Sequence, residues 1–111
     1  VKIYEGRREG YVADVTVNGC PLNPRLDLRN HSPTGFEWGY GGSGPAQLAL
    51  AVLVDHLAND DEALNLYQEF KRVVVAGLPY RGWRLTTQQI QKTLQALKSC
   101  SREQTGMVQD P

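Results

Sequence analysis

The chain has 111 residues, of which 41% are hydrophobic and 22% charged. That is enough for one folded domain with a modest core, and too apolar for a disordered segment. Its 12 basic and 12 acidic residues cancel, so there is no surplus of cations to neutralise duplex DNA, and no duplex DNA partner is expected. Arg7, Arg8, Arg25 and Arg29 still leave room for a local basic patch. No apolar run approaches the ~20 residues of a bilayer-spanning helix.

Two cysteines, Cys20 and Cys100, stand near opposite ends. They form neither a disulfide framework nor a metal-binding spacing. No apolar segment follows a basic start, so no signal peptide is expected and the chain reads as cytoplasmic with free thiols. No cofactor is expected and no metal site is recognisable.

The first third predicts strands. Residues 2–5 are β-prone, and Gly6 and Gly10 bracket a charged turn. "YVADVTV" alternates, with Tyr11, Ala13, Val15 and Val17 on one face. Asn18-Gly19 predicts a type I′ hairpin, because both central residues of that turn need positive φ. "CPL" returns as a short edge strand marked by Pro21, and "RLDLR" adds another strand. Residues 30–44 have no period and predict a long loop, a length that suits a functional segment.

Three helices follow. Pro45 suits a helix start, and "AQLALAVLVDHLA" is apolar nearly all round, so that helix is expected to be buried on most sides. Asn59 with Glu62 predicts a cap for the second helix, whose Ala63, Leu66, Tyr67, Phe70 and Val74 fall on one face. Gly77 and Pro79 end it. Thr86 with Gln89, and Leu85 with Ile90, predict a capping box and hydrophobic staple for the third, whose buried stripe is Ile90, Leu94 and Leu97. Tyr80 to Arg84 reads as a turn with Trp83 packed inward. The expected architecture is α+β: a small antiparallel β-sheet of N-terminal hairpins packed on three α-helices. Residues 1–100 form one domain and 101–111 a flexible tail.

The stretch "GFEWGYGGSGPAQLALA" from Gly35 carries the functional question. Gly39, Gly41 and Gly44 match G-x-G-x-x-G, but no strand precedes them and no βαβ unit surrounds them, so the dinucleotide fold is not expected. A phosphate-binding P-loop lacks its lysine, and the nucleophile elbow G-x-S-x-G fails at Pro45. What remains is a flexible loop entering a helix whose first N–H groups favour an anion. Phe36, Trp38 and Tyr40 offer rings for stacking, Ser43 a hydroxyl, and Gly41, Gly42 and Gly44 close backbone approach. These seven residues are the candidate ligand site. The alternative is that the glycines permit tight turns while the aromatics plug the core.

The same stretch, with "LYQEFKRVVVAGLP", the Trp83 region and "VTVNGCPLNP", resembles a family of small bacterial and bacteriophage proteins classed as a domain of unknown function. The resemblance implies a small cytoplasmic protein of the kind mobile elements carry, and hence a counter-defence protein that inhibits or sequesters a host component. Three function classes therefore stand: a non-catalytic binder of a nucleotide or other phosphate-bearing small molecule, a protein that inhibits a host protein by direct binding, and a small hydrolase or transferase using His31 and Glu37. His56 reads as a helix C-terminal residue that suits the dipole. Nothing in the sequence fixes an oligomeric state.

Overall fold

The computed structural model describes residues 1–109, with side chains through residue 99. Four strands form one antiparallel sheet in the order β3-β2-β1-β4, as the α+β expectation requires. They are β1 (Ile3–Glu9), β2 (Val12–Val17), β3 (Cys20–Pro21) and β4 (Gly82–Thr86). Three helices follow the hairpins or close the chain: α1 (Ser43–Leu57), α2 (Asp60–Val73) and α3 (Thr87–Gln109), with a short 3-10 turn at Val75–Gly77. The flexibility expected of residues 101–111, and the thiol of Cys100, lie outside the residues described with side chains. Cys20 is free and exposed.

The β1–β2 register pairs Tyr4 with Val17, Gly6 with Val15 and Arg8 with Ala13. Strand alternation then puts Tyr4, Gly6 and Arg8 on the helix-facing side with Ala13, Val15 and Val17. The Asn18-Gly19 turn has φ of 51° and 84°, the two positive values a type I′ hairpin needs.

Helix α1 is the centre of the core. Every residue from Gly44 to Val54 is buried, which its nearly unbroken apolar sequence dictates. Asp55, where the burial ends, ties α1 to β1 by accepting from the Tyr4 hydroxyl at 2.6 Å and from Lys2 Nζ at 3.0 Å. Burial, reinforced by Asp55, raises the Tyr4 phenol pKa. The caps read from sequence are present. Asn59 Oδ1 accepts from Glu62 N at 3.0 Å. Thr86 and Gln89 exchange both bonds of the capping box, at 2.9 and 3.2 Å.

Four local expectations are corrected. "RLDLR" is a turn rather than a strand, because Arg25 sits at φ 53°. Residues 82–86 form β4 rather than a turn, and pair with β1 from Ile3↔Thr86 to Arg7↔Gly82. Gly6 belongs inside β1: the Trp83 indole lies across it, and a Cβ there would be 2.2 Å from Nε1. Helix α1 begins at Ser43, two residues before Pro45. Pro45 still lies in the first turn, where a missing N–H costs no intrahelical bond.

Candidate functional site

The loop of residues 22–42 is held at two places. Its first half hangs on Gln47, the one buried polar residue among those described. The Gln47 amide donates to the carbonyls of Pro24 (2.6 Å) and Arg29 (2.9 Å) and accepts from the N–H groups of His31 (2.8 Å) and Ser32 (3.1 Å). A primary amide has two donors and two acceptor sites, and all four are used.

The second half, the glycine-aromatic stretch, is sewn to the connection between α2 and β4. Trp38 is 1% exposed. Its Nε1 donates to the carbonyls of Pro79 (2.9 Å) and Tyr80 (3.0 Å), and its ring meets Trp83 edge-to-face at 5.6 Å. Gly39 N donates to Val75 O at 3.0 Å, with φ of 89° and the Leu78 carbonyl close by. Only glycine takes that conformation without strain.

Arg8 is the clamp between loop and sheet. Its side chain is 6% exposed. The guanidinium lies over the Trp38 ring at 4.6 Å and over the Tyr80 ring at 4.1 Å. It donates to both Glu37 carboxylate oxygens, at 2.8 and 3.1 Å, and through Nε to Tyr80 O at 3.0 Å. A bidentate, ring-stacked site of this kind suits arginine and not lysine. The hydrogen bonds from Arg8 hold the Glu37 carboxyl below its ordinary range, and those to Glu37 raise the Arg8 guanidinium.

The start of α1 is partly occupied by the chain itself. A Cβ on Gly44 would lie 2.6 Å from Glu37 Cβ, and one on Gly42 would lie 2.7 Å from the Tyr40 ring. Of the seven predicted residues, Trp38 and Gly44 are therefore buried against protein, Phe36 and Gly42 are half-buried, and Tyr40, Gly41 and Ser43 are exposed. His31 and Glu37 have different partners: His31 Nε2 meets the Tyr67 hydroxyl at 2.8 Å, while Glu37 is bound to Arg8. Among the described residues, no three His, Cys, Asp or Glu side chains converge as metal ligands would.

Arg8 and Tyr80 were not named as site residues from the sequence. Arg8 shares strand parity with Tyr4 and Gly6, which is the signal that it points inward. Its partner Glu37 is 29 positions away, beyond any local pattern. Around the clamp stand exposed rings. Tyr80 is 65% and Tyr40 51% exposed, and Tyr40 lies close enough to act on the Arg8 charge. The β1–β2 turn beside them presents Tyr11, fully exposed, and Val12. Four of the six large apolar side chains exposed among the described residues thus gather at one end of the sheet.

The fold and this face define a small α+β domain whose longest loop is locked by an arginine clamp and whose sheet end is rich in tyrosine. The chain belongs to a family of unknown function, DUF6166, which matches residues 4–96. No curated protein and no solved structure matches it.

Proposed function

We propose that the chain is a non-catalytic protein-binding module, and that the sheet end carrying Tyr11, Val12, Tyr40 and Tyr80 meets its partner. The observation that carries this is the exposure of Tyr80 and Tyr40 beside the fixed Arg8 clamp, with Tyr11 and Val12 exposed at the same end of the sheet. Tyrosine is enriched in interfaces because it offers a large amphipathic surface at little entropic cost. Here two rings are already positioned, Tyr80 on Arg8 and Tyr40 over Gly42, so less order is lost on binding. Inhibition of a host protein is the finer form of this reading and rests on the family resemblance alone.

A phosphate-bearing small molecule at the start of α1 is the second reading, favoured by exposed Ser43 and Gly41 beside Tyr40. The stem and backbone of Glu37 pack on Gly44 in that same turn, so the chain itself fills part of the space an anion would take there. The protein reading therefore ranks first. The test has two arms. Proteins captured by the immobilised chain are purified and titrated against wild type and a Tyr40→Ala/Tyr80→Ala variant, and melting temperature is followed with mono-, di- and cyclic nucleotides. A purified protein that binds wild type and not the variant is expected. A nucleotide that raises the melting temperature, with no protein retained, would overturn the ranking.

A further inference from the structure

The β2 edge is only half covered. Strand β3 pairs with Thr16 and Val17 alone, and the Leu22 N–H reaches one residue further, to Val15 O at 3.1 Å. Beyond that point the edge is open. Three bonds fix which backbone groups face it. Asn18 N donates to Ile3 O and Arg8 N to Arg81 O, so the odd residues of β1 face β2 and the even ones face β4. The register of Glu5 with Thr16 and Arg7 with Asp14 turns the even residues of β2 toward β1. Ala13 therefore points its N–H and C=O outward, as Val15 does toward Leu22. No hydrogen bond to either Ala13 group occurs among the described residues.

A cleft of about 550 Å³ lies along this edge. Tyr11 to Val15 form one wall, Thr34 to Glu37 the other, and Pro21 and Leu22 lie between. Its only charged lining residues are Asp14 and Glu37. Glu37 is bound to Arg8, and Asp14 has no ion pair among the described residues. Strand β2 itself carries neither a lysine nor a proline, two of the devices that block edge pairing.

We propose that this edge accepts an extended segment of a partner protein as an added antiparallel or parallel strand, its backbone bonding to Ala13. This rests on the protein-binding reading and names the partner's chemistry. Side chains of the added strand alternate. One set faces the side shared by Val15, Leu22 and Phe36 and is apolar. The other faces the side of Val12 and Asp14 and includes a basic residue. A second copy of the chain fits less well, because its own residues 34–37 stand beside its β2 edge and would meet the same wall.

The experiment selects binders from a surface-displayed library of random nine-residue peptides, then titrates the synthetic winners against the purified chain. Peptides with alternating apolar and basic residues are expected. N-methylation of alternate backbone positions should weaken them at least tenfold. Ala13→Pro, which removes an outward N–H at an edge position where proline is tolerated, should do the same in a variant shown folded by its melting curve. Asp14→Lys should shift selection toward acidic peptides. The N-methyl arm decides if Ala13→Pro does not fold. The proposal is overturned if no peptide binds below millimolar Kd, or if affinity survives both Ala13→Pro and N-methylation. It is also overturned if sedimentation shows a wild-type dimer that Ala13→Pro splits, since the edge would then belong to a second copy. Loss of a protein partner in Tyr40→Ala/Tyr80→Ala alone would leave the broader reading standing without strand addition.

Discussion

At the scale of single residues, the glycine-aromatic stretch divides into parts that serve packing and parts that face solvent. Gly44 and Gly41 make the contrast testable. Alanine at Gly41 meets nothing within 4 Å, so Gly41→Ala should leave the denaturation midpoint within about 0.5 kcal/mol of wild type. Alanine at Gly44 meets Glu37 Cβ at 2.6 Å and Glu37 N at 3.2 Å, atoms that cannot swing aside. Its clash should cost about 1–3 kcal/mol, more than the ~1 kcal/mol alanine gains over glycine in a helix. Chemical denaturation of the two variants checks this.

The Arg8–Glu37 pair carries a pH signature. The folded Glu37 pKa lies below its ordinary 4.5, so its contribution to stability is complete above that value and is lost as pH falls through the lower folded value. Glu37→Gln should therefore be less stable than wild type at neutral pH, and the gap should narrow as pH falls below 4.5. Thermal melts from pH 7 to 3 measure the gap. The stretch itself was legible as the place to look. That Trp38 turns inward stood in the sequence only as the alternative to ligand stacking, because the partners that decide it, the Pro79 and Tyr80 carbonyls, are 41 and 42 positions away.

At the scale of elements, local patterns were readable and long-range ones were not. The β2–β3 hairpin, the α2 face and the Thr86–Gln89 box each depend on neighbours within a few positions, whereas the second half of β1 read as a turn. Strand β4 does not. "GWRLT" begins with a glycine and exposes Arg84, and it becomes a strand only because Gly6, far away in sequence, leaves room for Trp83. Gln47 is the element-scale counterpart. A lone amide in an apolar helix gives no sign that it organises residues 24–32, yet four backbone groups depend on it. Gln47→Leu keeps the volume and removes every partner. It should cost at least about 2 kcal/mol, since buried unpaired groups cost about 1–3 kcal/mol each. It should also make residues 24–32 more susceptible to limited proteolysis than in wild type.

At the scale of the whole molecule, the sheet has two different ends and two different faces. One face packs on α1, whose residues from Gly44 to Val54 are all buried. The other carries Glu5, Arg7, Glu9, Asp14 and Arg84, a mixed-charge surface. The tyrosine-rich end lies where β1, β2, the long loop and the α2–β4 connection meet at Arg8. The central claim is that this end is a preformed protein-binding face. The most direct measurement is calorimetric titration of a purified captured partner against wild type, Tyr40→Ala/Tyr80→Ala, and a control variant, Arg72→Ala, on the exposed side of α2. The account predicts at least a tenfold loss for the tyrosine variant, as interface anchors give, and an unchanged Kd for the control. Equal affinity for wild type and the tyrosine variant, with both proteins folded, would contradict it.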